Sequence, residues 1–233
     1  TLFPYTTLFR SRETFNSTEN HAMGDLNQLL YTKAVLGDFK GRILEVGSKN
    51  YGNTQPFRDL FKGSEYVGID LEAGDNVDHV VNLEDGTGPV ADRQFDLIII
   101  CSVLEHSKRP WVIAENLQNI LAPDGAVLSC HPWVWRYHKY PDDYFRFSPK
   151  GIMALFPKLQ HWLPALYATS VQGEFFSFDE NEHIDNKLAV FNQSKRKHLP
   201  YLQSLMTGTN SGETHQKLSN RLSKLLQKKP LPA

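Results

Sequence analysis

Ile43-Leu44-Glu45-Val46-Gly47-Ser48-Lys49-Asn50-Tyr51-Gly52 is the stretch that decides the fold class. Ile43–Val46 is apolar apart from Glu45 and reads as a short strand. It runs directly into a loop bounded by Gly47 and Gly52, and Asn53–Lys62 then reads as a helix, with Pro56 in its first turn and Phe57, Leu60 and Phe61 facing inward. A strand, a glycine turn and a helix in that order open a βα unit.

The alternation continues on both sides. Gly24–Phe39 reads as a helix, with Leu26, Leu29, Leu30 and Ala34 on one face. Tyr66–Asp70 and His79–Asn82 read as the next strands. Phe95–Cys101 (FDLIIIC) is a continuous apolar run, as a parallel strand covered on both faces requires. Trp111–Leu121 reads as a helix, Ala126–Cys130 as the fifth strand, and a further helix starts at Ser148-Pro149 and runs to Phe156. Trp162–Ser170 and Lys187–Asn192 are expected as closing strands, and Glu213–Lys228 as an amphipathic helix with Leu218, Leu222, Leu225 and Leu226 on one face. The pattern predicts an α/β, doubly wound, mostly parallel seven-stranded sheet with helices on both faces. The expected organisation is an N-terminal segment over 1–20 outside the fold, a main domain over 24–195 and a C-terminal helical extension over 196–233.

Composition narrows the class. The chain has 233 residues, 25 Lys+Arg against 26 Asp+Glu and a formal net charge of -1, so no electrostatic case for nucleic-acid binding exists. Its longest clean apolar run, Leu97–Ile100, is far shorter than the ~20 residues of a membrane span. Cys101 and Cys130, the 2 cysteines, make neither a disulfide framework nor a four-cysteine zinc site, and a cytoplasmic location is expected. Thr1–Ser11 (TLFPYTTLFRS) resembles the translation of a sequencing adapter and is expected to pack on nothing essential. Deleting it is expected to leave the melting temperature unchanged; a large drop in a thermal scan would show that it belongs to the fold.

In such sheets the ligand sits beyond the carboxyl ends of the strands. Lys49 stands where a dinucleotide fingerprint has its middle glycine, which argues against a pyrophosphate cofactor, and no G-K-S/T closes a P-loop. Glu45 lies near the end of a strand that is otherwise buried, where an unpaired carboxylate is costly, so a cationic or hydrogen-bond-donating ligand is expected there. Asp70 ends the second strand, where an acidic side chain can accept from ribose hydroxyls or cap a helix.

The stretches ILEVGSKNYG, YVGIDLEAG, VVNLEDG, FDLIIICSVLEH and LAPDGAVLSCHP, in that order, resemble the class I S-adenosylmethionine-dependent methyltransferases over about Arg42–Pro132. The resemblance implies a Rossmann-like fold and S-adenosyl-L-methionine as cofactor. It implies that Gly47, Ser48 and Lys49 pack against the methionine part, with Glu45 facing that moiety. Asp70 would hold the ribose, Leu71, Asn82 and Leu83 would border the adenine, and Ser102 and Val103 would line the cleft. Lys49 departs from the commoner glycine, with cofactor affinity the property it bears on.

His131–Phe156 is dense in His, Tyr, Trp, Asp and Arg and follows a buried strand, at the end of the sheet where loops carry function. His138–Ser148 resembles an H-x-x-P-x-D-Y/F-x-R-F/Y-S/T signature associated with methyltransferases of glycans and secondary metabolites. A hydroxyl acceptor needs a proton acceptor that titrates near neutral pH, and His138 and His131 are the candidates. Asp143 either orients a histidine or clamps Arg146, three residues on. Arg146 either binds a substrate carboxylate or phosphate, or forms a structural pair with Asp143. Tyr144 offers an aromatic face to a sulfonium. His106 is read as structural or cleft-lining, and no metal is expected.

The expected activity is methyl transfer to a small-molecule or glycan acceptor, at oxygen before nitrogen, by a monomer or homodimer. The alternatives are a non-catalytic methyltransferase-like binding protein and a nucleotide-dependent oxidoreductase. RNA methylation lacks both a basic patch and an Asn-Pro-Pro-Tyr type motif.

Overall fold

The computed structural model describes residues 25–52, 56–138, 141–169, 172–177 and 201–227. The readings of 1–20 and of Lys187–Asn192 lie outside the described residues. One sheet holds β1 (Arg42–Val46), β2 (Glu65–Asp70), β3 (His79–Val80), β4 (Phe95–Cys101), β5 (Leu121–Val134), β6 (His161–Trp162), β7 (Leu166–Thr169), β8 (Phe175–Ser177) and β9 (Leu202–Thr209). The helices are α1 (Asp25–Tyr31), α2 (Pro110–Asn119), α3 (Pro149–Leu155) and α4 (Gly212–Gln227). The spatial order is β3-β2-β1-β4-β5-β9-β7-β8, with β6 beside β9.

The pairs β2–β3, β1–β2, β1–β4 and β4–β5 are parallel. β9 runs antiparallel to β5, β6 and β7, and β8 antiparallel to β7. The α/β doubly wound class is therefore as expected, but the sheet has nine strands instead of seven and its far half is antiparallel. Side chains alternate along the parallel strands. Leu44, Val46, Ile98 and Ile100 enter one core with Ile113, Ala114 and Leu117 of α2 and Ile152 of α3. Ile43, Leu97 and Ile99 enter the other with Tyr31 of α1 and Leu218 and Leu222 of α4. Burial on both faces is why FDLIIIC carries no polar alternation. The chain order reverses between β1 and β4, which puts a crevice beyond their carboxyl ends.

Four local expectations are corrected. The N-terminal helix is α-helical only to Tyr31 and continues as a π turn over Thr32–Leu36, with Thr32 Oγ1 donating back to the Gln28 carbonyl at 2.7 Å. The helix expected over Asn53–Lys62 is, in the described residues, a 3-10 turn over Phe57–Leu60, with Pro56 before it in an extended backbone at ψ 143°. The closing strand from Trp162 is split into β6 and β7 around Pro164, which cannot donate to the ladder. Finally, the span read as a helical extension contains β9, every residue of which is buried. Three of its four polar side chains are answered inside: Gln203 accepts from Gln28 at 3.1 Å, Thr207 bonds Tyr31 at 2.9 Å and Thr209 donates to the Gly125 carbonyl at 2.7 Å, while the buried Ser204 hydroxyl has no hydrogen-bond partner among the described residues. Among the described residues, no helix is long and apolar enough to cross a membrane.

Candidate functional site

The loop after β1 is folded down onto the end of β2. The N–H groups of Gly47 and Ser48 both donate to the Ile69 carbonyl, at 2.9 and 3.1 Å. Gly47 has φ +76°, and a Cβ there would lie 2.4 Å from Val103 Cγ2, so only glycine lets the loop meet the segment after β4. Gly68 in β2 is equally constrained: its Cβ would lie 2.2 Å from the Asn76 carbonyl oxygen and 2.6 Å from Ser48 Oγ. Asp70, half-buried, accepts from the Lys49 N–H at 3.1 Å through Oδ2 and from the Glu72 N–H at 3.1 Å through Oδ1. Each oxygen keeps lone-pair capacity for a further donor. The Lys49 ammonium lies 2.6 Å from Glu72 Oε2 and 5.3 Å from the centroid of the Tyr51 ring in the same loop, with its stem alongside Gly74.

Glu45 is braced from below. Its Oε2 accepts from Tyr66 Oη at 2.8 Å and from Asn76 Nδ2 at 3.0 Å. Asn76 also donates to the Ser48 carbonyl at 2.8 Å and accepts from Arg58 Nε at 2.7 Å. Burial pushes the Glu45 carboxyl up to about 7, against the two hydrogen bonds that pull it down. Its position under the loop makes Glu45 a support for Ser48. Tyr66 and Asn76, not singled out in the sequence, are its partners; nothing in their local pattern marks them.

The remaining expected cofactor residues divide. Leu71 is exposed just past Asp70. Asn82 is exposed and closes a turn, accepting from the Glu84 N–H at 3.1 Å and donating to Asp85 Oδ2 at 2.6 Å. Leu83 is a correction: it is 3% exposed within the core and its carbonyl accepts from Asn116 at 2.8 Å, so its side chain has no open face to offer an adenine. Ser102 adopts φ +54°, and its Oγ accepts from Gln28 Nε2 of α1 at 3.1 Å. Val103 sits against Gly47 as described. Gln28, buried and bridging Ser102 to Gln203, is a further residue that the helical pattern did not reveal.

Beyond Val103 a 3-10 turn spans Leu104–His106. Glu105 and His131 are both 0% exposed. His131 Nδ1 donates to Glu105 Oε2 at 3.0 Å, and its Nε2 faces Ser129 Oγ at 3.0 Å. Both ring nitrogens are occupied and no surface is open, so His131 does not meet a substrate; it holds Glu105. His106 Nδ1 bonds the Asp142 carbonyl, and its ring meets that of His138 edge-on with centroids 4.9 Å apart. His106 thus belongs to the same cluster as His138, a role its sequence neighbours left open.

The loop that carries His138 is tied by Arg146. Its guanidinium pairs with both oxygens of Asp143, through Nη1 to Oδ1 and through Nη2 to Oδ2 at 2.7 Å. It also donates to the carbonyls of Trp135 at 3.4 Å, Arg136 at 2.9 Å and Phe145 at 2.7 Å. The Arg146 guanidinium beside Asp143 holds that carboxyl down at about 2. Asp143 further accepts from the His138 N–H at 2.8 Å. These contacts tie Arg146 to Asp143 and to three carbonyls of the loop. Tyr144 donates its N–H to the Glu105 carbonyl at 2.8 Å and its hydroxyl to Asp142 Oδ2 at 2.8 Å, leaving its ring exposed.

The arrangement offers two kinds of chemistry side by side: backbone and carboxylate groups at the ends of β1 and β2, and an imidazole pair beyond β4. Residues 18–186 match a family model described as a methyltransferase domain. A SAM-dependent methyltransferase from Archaeoglobus fulgidus shares the fold with a TM-score of 0.54 at 13% identity, over 78% of this chain and 94% of that one. The N-methyltransferase NodS from Bradyrhizobium japonicum, solved with S-adenosylhomocysteine, gives 0.51 at 11% identity over 86% and 93%. The cyclase SpnF gives 0.51 at 13% over 78% and 80%. Likeness at these identities speaks for the fold alone. Among curated proteins, none matches the chain.

Proposed function

The chain belongs to the methyltransferase-domain family, and from that premise we propose that it transfers a methyl group from S-adenosylmethionine to a small-molecule or glycan acceptor, at oxygen in preference to nitrogen. S-adenosylmethionine, when bound, supplies a sulfonium methyl carbon whose departure leaves the bonding pair on sulfur. The residues present suit such a group. Asp70 keeps acceptor capacity for ribose hydroxyls, and Gly47 and Ser48 present a close-packed loop held on Ile69. Ser48 Oγ is buried with no hydrogen-bond partner, an unanswered polar atom at the point where a polar ligand group is expected. The Lys49 ammonium is engaged by Glu72 and by the Tyr51 ring.

The observation that carries the oxygen reading is the His106–His138 pair beyond β4. A hydroxyl nucleophile must lose its proton as it attacks, and an imidazole at hydrogen-bond reach is the side chain suited to take it. The Asp142 carbonyl can only accept, so His106 carries its proton on Nδ1 and presents Nε2 as the acceptor. His138 is the second acceptor of the pair. Asp143 and Arg146 position His138, and His131 acts through Glu105; the exposed Tyr144 ring has the Lys108 ammonium 5.8 Å from its centroid, so a sulfonium over that ring competes with Lys108.

Calorimetry with S-adenosylmethionine, S-adenosylhomocysteine and NADH tests the reading. The two adenosyl ligands are expected to bind selectively, and Asp70→Ala is expected to raise their Kd at least tenfold through lost charge-assisted hydrogen bonds, roughly 1.4 kcal/mol or more. Selective NADH binding, or unchanged affinity in a folded D70A protein, would overturn it.

A further inference from the structure

Glu105, His106 and His138 bring three ligand atoms within 4.8 Å of one another. Glu105 stands out among them. It is wholly buried, only its Oε2 is answered, by His131 Nδ1 at 3.0 Å, and Oε1 has no hydrogen-bond partner. A buried carboxylate oxygen without a donor is costly. Opposite it, 3.9 Å away, is His106 Nε2, the nitrogen left bearing a lone pair by the Asp142 carbonyl. Two acceptors thus face each other across a gap too wide for a hydrogen bond. One ion bound at roughly 2.0–2.2 Å to each spans such a gap. The third member, His138, has its Nδ1 3.3 Å from Asp143 Oδ2, a carboxylate that orients the ring and leaves Nε2 as the nitrogen to offer an ion.

The outer contacts are those of metal ligands. His106 has its second nitrogen held by a backbone carbonyl, and Glu105 has its second oxygen held by a buried imidazole, which is how coordinating side chains are oriented. One carboxylate oxygen and two imidazoles suit zinc, cobalt, nickel or ferrous iron and not magnesium or calcium, which prefer all-oxygen sets. We propose that Glu105, His106 and His138 bind one divalent transition-metal ion of this class, with at least one coordination position open. An ion there lowers the pKa of a hydroxyl that occupies the open position, and in the metal-bound protein it replaces the two imidazoles, whose lone pairs it takes, as the means of activating that hydroxyl. That consequence rests on the methyl-transfer reading; the binding of the ion does not.

The test uses the whole chain, stripped with a chelator and free of nickel-affinity resin. Zn2+ is titrated by calorimetry and Co2+ by visible absorption, and S-adenosylmethionine is titrated into the same preparation. One equivalent of each metal is expected, with cobalt ligand-field bands that disappear on adding Zn2+. His138→Ala, on the half-exposed loop, and His106→Ala are each expected to weaken binding at least tenfold, at the scale seen for disrupted metal sites. Glu105→Gln gives the same loss if it folds; His138→Ala decides if it does not. Protein that binds S-adenosylmethionine but neither metal, or histidine variants that bind metal as tightly as the parent, would overturn the site. Metal binding without S-adenosylmethionine binding would support the site and overturn the transfer reading instead.

Discussion

Replacing Arg146 with alanine is expected to lower the unfolding free energy by about 3 kcal/mol, the scale for removing one partner of a buried ion pair. The reason is the carboxylate left behind. The Asp143 side chain is 1% exposed and takes both of its charge-assisted bonds from Arg146. Without the guanidinium, only His138 remains on it, through its N–H at 2.8 Å and its Nδ1 at 3.3 Å. The same guanidinium holds the Trp135, Arg136 and Phe145 carbonyls, so the loop carrying His138 loosens with it. Arg146→Lys is expected to recover only part of the loss, since an ammonium cannot serve both carboxylate oxygens and three carbonyls in one plane. The pH dependence has a definite sign. The Asp143 carboxyl is lowered from 3.8 to about 2, so the pair contributes fully above pH 3.8 and its contribution fades as pH falls through about 2. Urea unfolding of parent and variant at neutral pH and at acid pH is the measurement. A loss under about 1 kcal/mol, the range of exposed pairs, would return Arg146 to the role of substrate-anion binder.

Where burial on both faces forces an apolar sequence, the fold was legible. FDLIIIC is a central strand because neither of its faces meets water, and ILEV reads the same way beside it. β9 was not legible for the opposite reason. LQSLMTGT is fully buried, yet it is half polar; Gln28, Tyr31 and the Gly125 carbonyl answer Gln203, Thr207 and Thr209 from elsewhere in the chain. No local pattern carries that information. Pro164, which cannot donate to a ladder, marks the break in the closing strand between β6 and β7.

The site divides in a similar way. Gly47 and Asp70 were legible because backbone geometry and strand-end position dictate their types. The spacing of Asp143 and Arg146 allowed both a clamp and a substrate site, and the carbonyls around the guanidinium speak for the clamp. Leu83 was misplaced because an apolar residue after a short strand points as readily into the core as into a cleft. The grouping of Glu105, His106, His131 and His138 joins a turn, a strand and a distant loop. Such a cluster is set by the sheet order, which brings β4 and β5 side by side, and spacing along the chain does not encode it.

Glu45→Gln is expected to stabilise the protein at alkaline pH and to leave it nearly unchanged in acid. Burial raises the Glu45 carboxyl from 4.5 to about 7. Between those values the folded chain holds a proton that the unfolded chain has released, so stability falls as pH rises through this window. A rise from 4.5 to about 7 corresponds to about 3 kcal/mol by pH 8. Glutamine cannot ionise, and its carbonyl oxygen accepts from Tyr66 Oη and Asn76 Nδ2 as the carboxylate does. The difference in unfolding free energy between parent and variant therefore opens by about 3 kcal/mol from pH 4 to pH 8, in favour of the variant, when followed by urea denaturation. Parallel curves would show that Glu45 ionises freely and that the loop above it is not strained. The expected result gives the residue a meaning: an acid kept where its amide is more stable, directly beneath Ser48, is a local rule broken at a binding loop. A cationic ligand over that loop favours the ionised carboxyl and offsets the cost. S-adenosylmethionine is such a ligand, so its affinity for the parent is expected to rise with pH through about 7, while that of the variant stays flat.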